Sequence, residues 1–244
     1  MHKVAHIKPQ ALRSRAWRLG ACIAAGLAAA SGALAASANA ATPPPSNSAF
    51  HIVGAGPNLR LVGTKIFNGR AYPVYMIPGL KLPPPAAAAR LASSSDPTIL
   101  NLHSERCAEV YNWGTANGNN VDQWACTGGA NQKWNFVLED YLLAGGNLYD
   151  VDNIINVHSG KCMEVYNWAV YNGANVDQWT CGPSSSPHAN QLWVLDQPFL
   201  DNLNASQTRS TDVSLEVYNW GTGNGANVDI WSRFIDNTNQ EWSW

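Results

Sequence analysis

The sequence predicts an all-β protein closed from three similar units, and three observations carry that expectation. One phrase recurs: EVYNWGTANGNNVDQW at 109–124, EVYNWAVYNGANVDQW at 164–179 and EVYNWGTGNGANVDIW at 216–231. Gly, Asn and Ser interrupt every apolar run within about ten residues, and no segment holds a helical period for three turns, which is the pattern of short strands joined by turns. Each unit closes on Asn-Gln-x-Trp, at 131–134, 190–193 and 239–242. A unit of that size cannot bury its own apolar face, so the three are expected to share one core about a pseudo-threefold axis.

Read from the N-terminus, residues 1–40 have the order of a secretory signal peptide. Lys3, Lys8, Arg13, Arg15 and Arg18 stand without an acid, an Ala-rich apolar stretch follows, and Ala38 to Ala40 offers small residues for cleavage. The apolar stretch is short for a membrane span and no second one follows. A secreted, extracellular protein with no membrane span and cleavage near Ala40 is expected. Residues 41–80 form an N-terminal segment in which Phe67-Asn68-Gly69-Arg70 signals a hairpin. Residues 81–97, rich in Pro, Ala and Ser, read as a linker. The repeats occupy 98–244, divided at about 98–145, 146–198 and 199–244.

Charge divides the chain at the same place. Net charge is −2 overall, but five of the 15 basic residues lie in 1–40, and residues 41–244 carry −7. Residues 41–95 hold five bases and no acid, whereas 97–244 hold 16 acids against five bases. An acidic repeat region repels phosphate backbones, which excludes nucleic acid from the expected partners. The basic segment is expected to pack on the acidic repeats as an edge hairpin, or to meet an anionic polymer.

Four of the five cysteines fall in the repeats. Cys107 and Cys126 are 19 apart, Cys162 and Cys181 are 19 apart, and Ser214 and Arg233 hold the matching places in the third copy. Both partners are absent together, as a covalent pair predicts, so Cys107–Cys126 and Cys162–Cys181 disulfides are expected, each worth about 3 kcal/mol on the chain-entropy model. Zinc is the alternative, but the four cysteines lack short C-x-x-C spacing, and no metal or cofactor is expected.

Taken together, C-x-E-V, V-D-Q-W-x-C and N-Q-x-W repeated in register resemble the ricin B-chain type lectins, a carbohydrate-binding module family. The resemblance covers about 97–244. It implies a β-trefoil fold and noncovalent sugar binding. A sugar offers hydroxyls to polar side chains and an apolar face to an aromatic ring. In the first copy the resemblance makes Glu109 the hydroxyl acceptor, Trp124 the stacking platform, Asp122 a rim residue, Asn131 a donor and Gln132 its support. In the second it implies Glu164, Asp177, Trp179, Asn190 and Gln191. In the third it implies Glu216, Asp229, Trp231, Asn239 and Gln240.

Structural roles compete with these. Trp134, Trp193 and Trp242 close the repeats and are expected in the core. Gln132, Gln191 and Gln240 also suit a role tying turns to backbone, and Trp124, Trp179 and Trp231 a packing role. Trp113, Trp168 and Trp220, in the Tyr-Asn-Trp triplets, either wall the pocket or pack for the fold. The Asn-Gly pairs read as turns. The chain departs from the family in having Glu where Asp is usual and Asp where the rim is frequently an amide, so each copy presents two carboxylates. Such a pair favours a cation, an amino sugar or a raised pKa on one acid. Paired carboxylates also serve glycosidases, but no Ser/His/Asp set, phosphate loop or His-rich motif accompanies them, and a non-enzymatic protein is expected. A monomeric lectin with carbohydrate as partner is the leading expectation. A protein-interaction or inhibitor scaffold with lost sugar binding is the alternative.

Overall fold

The computed structural model describes residues 51–82 and 98–244. The expected signal peptide and nearly all of the expected linker lie outside the described residues. No described helix is long and apolar enough to cross a membrane. The described chain is all-β with one short helix.

Residues of the N-terminal segment form β1 (Arg60–Phe67) and β2 (Arg70–Met76), an antiparallel hairpin turning at Asn68 and Gly69, both at positive φ. The first copy contributes β3 (Leu100–Asn101), β4 (Cys107–Val110), β5 (Asn119–Trp124) and β6 (Trp134–Ala144). The second contributes β7 (Asn147–Asn156), β8 (Cys162–Val165), β9 (Ala174–Trp179) and β10 (Leu192–Asp196). The third contributes β11 (Phe199–Asn202), α1 (Leu203–Arg209), β12 (Val213–Val217), β13 (Ala226–Ser232) and β14 (Trp242–Ser243).

The chain closes on itself. β6 pairs with β7, β7 with β10 and β10 with β11, and the last strand, β14, pairs with the first strand of the repeats, β3. Thr98 bridges Lys133, and Trp242 N–H donates to the Pro198 carbonyl, which completes the ring. Three hairpins, β4–β5, β8–β9 and β12–β13, cover it. Their second strands meet about the threefold axis, β5 with β9, β9 with β13 and β13 with β5. This is a β-trefoil. Closure leaves few free edges, the device by which small all-β folds avoid edge pairing.

The axis itself is polar. Asn120 donates to Asn227, Asn227 to Asn175 and Asn175 to Asn120, at 2.9, 3.0 and 2.9 Å. Each amide donates once and accepts once around a closed cycle, a satisfaction that a single asparagine at the axis would not find. Below the hairpins Trp134, Trp193 and Trp242 are fully buried. Their indole N–H groups donate to the carbonyls of Ala108, Met163 and Leu215 at 3.0, 3.1 and 3.0 Å. Each core tryptophan therefore pins the residue just before the repeated glutamate.

The third copy opens differently from the others. Asn202 accepts from the Ala205 amide as an N-cap, and the two-turn helix α1 follows. A helix this short shows no three-turn periodicity, so the pattern reading passed over it. On the other side β2 lies parallel to the outer half of β6, Val74 beside Tyr141 and Met76 beside Leu143. Ile52, Tyr75, Ile77, Leu80 and Leu82 join Leu142, Tyr149, Leu192 and Leu203 in a second apolar cluster. Lys65 lies 4.1 Å over the Tyr141 ring, and Arg70 is 3.6 Å from Glu139.

Candidate functional site

Strand alternation sorts the repeated phrase. In β4 Ala108 and Val110 enter the core, so Glu109 turns to the opposite face. In β5 Val121 enters the core, and Asn120, Asp122 and Trp124 share the other face. The hairpin register then sets Glu109 directly opposite Asp122 and Cys107 opposite Trp124. The same register sets Glu164 opposite Asp177 and Glu216 opposite Asp229. Directly opposed cross-strand side chains interact, and like charges so placed are unfavourable.

Both acids of each pair are buried, with exposures of 6–7% for the glutamates and 1–2% for the aspartates. A short turn carrying Asn-Gln folds back over them. Gln132 donates to Glu109 Oε2 at 2.7 Å and to the Ala125 carbonyl at 2.9 Å, while its own oxygen accepts from Thr127 N–H at 2.7 Å. Gln191 does the same between Glu164 at 2.7 Å and the Thr180 carbonyl at 3.1 Å, and Gln240 between Glu216 at 3.0 Å and the Ser232 carbonyl at 3.1 Å. The glutamines thus tie the turn to the backbone and hold the glutamate at once. Asn131, Asn190 and Asn239 donate to the carbonyls of Val110, Val165 and Val217.

Desolvation raises every one of the six carboxyl pKa values. Burial and the facing Glu109 push Asp122 up to about 7. Burial and Glu164 push Asp177 up to about 7. Burial and a hydrogen-bonded Glu216 push Asp229 up to about 8. The glutamates rise through burial, opposed by their amide partners. Each pair therefore holds one proton near neutrality, because two adjacent buried carboxylates do not both ionise readily.

Beside each pair stands an indole. Trp124 and Trp179 are 38% and 41% exposed, and Trp231 is partly buried. The wall facing each indole comes from a different copy. A Cβ on Gly225 would sit 3.8 Å from Trp124 and 3.9 Å from Asp122 Oδ2. Gly118 stands in the same relation to Trp179 and Asp177, and Gly173 to Trp231 and Asp229. All three glycines have φ near +80°, which a side chain rarely adopts. Their preceding asparagines seal the joint: Asn224 accepts from Ala125 N–H, Asn117 from Thr180 N–H and Asn172 from Ser232 N–H. The Asn-Gly turns form walls as well as corners.

The Tyr-Asn-Trp triplets are 3-10 turns in which Asn and Trp both take positive φ. Trp113 and Trp220 stand half exposed, edge-on to His158 and His103 at 5.1 and 5.0 Å. Trp168 differs. Its indole lies tilted against His188 at 5.7 Å, Asn204 donates to its backbone carbonyl at 3.3 Å, and Gly54 of the N-terminal segment lies so close that a Cβ there would overlap Cζ3 at 2.1 Å. Val53 N–H donates to the Pro187 carbonyl and Ala189 N–H to the Val53 carbonyl, fastening that segment beside the second site.

Several contributors were invisible to motif reading. Buried Asn101, Asn156 and Asn202 each donate to the carbonyl of a site asparagine, Asn239, Asn131 and Asn190. The Leu-Asn-Leu, Ile-Asn-Val and Asp-Asn-Leu words before each glutamate carry that signal. Where the N-terminal segment meets the repeats, a cavity of about 300 Å³ is lined by His51, Arg70, Tyr75, Glu139, Asp140 and Ser184. Burial and Glu139 push Asp140 there up to about 8. Nothing in the repeats announces this single-copy pair. Among the described residues no His/Cys/Asp/Glu group is arranged to hold a metal.

Both disulfides form, Cys107–Cys126 and Cys162–Cys181, each with Cα atoms 5.1 Å apart. The arrangement as a whole offers an apolar ring face next to hydrogen-bond acceptors in a shallow recess, repeated about an axis.

The chain is similar in fold to a designed threefold-symmetric protein, ThreeFoil, at 30% identity and a TM-score of 0.48, covering 59% of this chain and 94% of that one. It is similar to the C-half of an earthworm R-type lectin in complex with GalNAc, at 13% identity and a TM-score of 0.45, covering 60% and 94%. A stretch of 36 residues is 44% identical to Serine protease 1 of Rarobacter faecitabidus, which is 15% of this chain and 7% of that protein's length. The model of the family described as ricin-type beta-trefoil lectin domain-like matches residues 90–179 and 141–231. That match spans more than half of the 244 residues, and the chain belongs to the ricin-type β-trefoil lectin domain-like family.

Proposed function

We propose that the protein is a secreted lectin that holds sugar units of glycans or polysaccharides noncovalently at up to three shallow sites. One observation carries the reading: in all three copies a buried Glu/Asp pair, held by the Asn-Gln turn, lies beside the same tryptophan. In this reading Trp124, Trp179 and Trp231 stack on the sugar ring, Glu109, Glu164 and Glu216 accept hydroxyl hydrogen bonds, and Asp122, Asp177 and Asp229 line the rim. Asn131, Asn190 and Asn239, with Gln132, Gln191 and Gln240, orient the acids. No catalytic role is assigned, since each pair consists of immediate cross-strand neighbours rather than groups flanking a scissile bond. Three weak sites on one rigid body give avidity on clustered or polymeric ligands. Two disulfides support export, with residues 1–40 as signal peptide, 81–97 as linker and 98–244 as the lectin domain.

The test is binding to a glycan array and to insoluble polysaccharides, with a Trp124→Ala, Trp179→Ala, Trp231→Ala variant alongside. The expected result is binding by the wild type that disappears in the folded variant. Absence of any binding by the wild type sinks the reading.

A further inference from the structure

The hydrogen-bonding capacity of the three sites is lopsided. In the first copy the Gln132 amide has two N–H groups, and both are engaged, with Glu109 and the Ala125 carbonyl. Asn131 directs its N–H to the Val110 carbonyl. What remains is acceptor-rich: Asp122 Oδ1 and Asn131 Oδ1 are buried without a partner. The second copy repeats this with Asp177 Oδ1 and Asn190 Oδ1, and the third with Asp229 Oδ1 and Asn239 Oδ1. Asn131, Asn190 and Asn239 are at most 2% exposed, and each reaches the glutamate of its own copy.

Charge is lopsided in the same sense. Among the described residues neither lysine nor arginine pairs with any of the six acids. Ion pairs of the described residues lie elsewhere, at Arg70 and Arg233. Two facing carboxylates ask for a compact group that carries positive charge and donors. A primary ammonium has three N–H donors and no acceptor. The indole next to the pair adds a face that accepts both an apolar ring and a cation.

We propose that these sites recognise sugars bearing a free ammonium, 2-amino-2-deoxyhexoses such as glucosamine or galactosamine units, in preference to their N-acetylated or neutral counterparts. This rests on the lectin reading above. The ring of the sugar stacks on Trp124 or Trp179, and its ammonium enters between the glutamate and the aspartate, taking the place of the proton they share. Acetylation removes the charge and replaces two donors with a carbonyl acceptor that faces a site with acceptors in excess of the one proton the pair shares. Asp229 and Glu216 are already hydrogen-bonded to each other, so the third site is the weakest of the three.

The experiment compares the full chain against glucosamine oligomers, the same oligomers N-acetylated, and galactose-based neutral oligomers, at about pH 6 where the amine is charged. Binding is measured by calorimetry at two salt concentrations. The expected result is about tenfold tighter binding of the amine oligomer than of its acetylated twin, as a charge-assisted contact gives over a neutral one. An Asp122→Asn, Asp177→Asn, Asp229→Asn variant loses that preference. Equal or tighter binding of acetylated or neutral oligomers by the wild type overturns the proposal and leaves the lectin reading standing. Binding of none of the three overturns both. A preference that survives in the Trp124→Ala, Trp179→Ala, Trp231→Ala variant, or that vanishes at the higher salt, marks bulk attraction of a polycation to an acidic surface and also overturns it. The wild-type selectivity decides the matter even if a variant fails to fold.

Discussion

In the first two copies a disulfide joins the strand that carries the glutamate to the segment just past Trp124 or Trp179. In the third the same two places hold Ser214 and Arg233. The guanidinium of Arg233 is buried and reaches Asp196 at 2.7 Å, Asp201 at 2.9 Å and Asp212 at 2.8 Å, while Ser214 donates to Asp201. Phe199 lies 4.7 Å beneath it. A covalent link has thus been exchanged for an ionic cluster at one of three equivalent positions. The two devices answer to different conditions. A disulfide yields to reductant, and a cluster of three acids around one cation yields to pH and to loss of the cation.

Removing the cation is expected to have the largest effect. Arg233→Ala leaves Asp196 and Asp201 buried without charge compensation, and a loss of about 3–5 kcal/mol follows from such a break. Urea unfolding measures it. An unchanged midpoint would mean that the cluster contributes nothing that solvent does not replace.

Next comes Cys107→Ala with Cys126→Ala, expected to cost about 3 kcal/mol. The same change at Cys162 and Cys181 should cost about as much. Reductant should lower the wild-type midpoint and leave that of a variant lacking all four cysteines unmoved.

The Glu/Asp pairs supply the third contrast. Asp122, Asp177 and Asp229 are raised in the fold to about 7, 7 and 8 from an ordinary 3.8. The folded state binds their protons more tightly than the unfolded state does. Their contribution is therefore complete below about pH 4 and is lost as pH rises through about 7 to 8. The melting temperature should fall over that window. The triple Asp→Asn variant should show a flatter profile, whereas a steeper one would reverse the assignment.

The axis gives the smallest and most even effect. Asn120→Ala, Asn175→Ala and Asn227→Ala each break two links of one cycle, and each should cost about 1 kcal/mol. Unequal costs would show that the cycle does not treat the copies alike, in contrast to the cross-links, which plainly do not.

These contrasts also mark what the chain discloses before folding. Three copies in register expose closure and the core role of Trp134, Trp193 and Trp242, because each copy repeats the same short-range pattern. The cysteine pairs were legible from a spacing and its joint absence. Ser214 and Arg233 were visible as the gap, but not their purpose. Asp196 and Asp201 reach Arg233 across 37 and 32 residues, from strands that precede its own hairpin. The asparagine cycle was hidden for the same reason, its members standing 52 to 107 residues apart. The opposition of Glu109 and Asp122 follows from hairpin register, which the intervening turn sets and no single motif states. Helix α1 and the fastening of residues 51–58 beside the second site have no counterpart in the other copies, so repetition could not announce them.

The glycine corners carry a last consequence. Trp124 faces Gly225, Trp179 faces Gly118 and Trp231 faces Gly173, so every recess is shared between two copies. Each recess is then a property of the joints, and a lone copy owns none. Three separate peptides of about 50 residues each would have to assemble as a ring before the first recess existed. Once they did, all three would appear together.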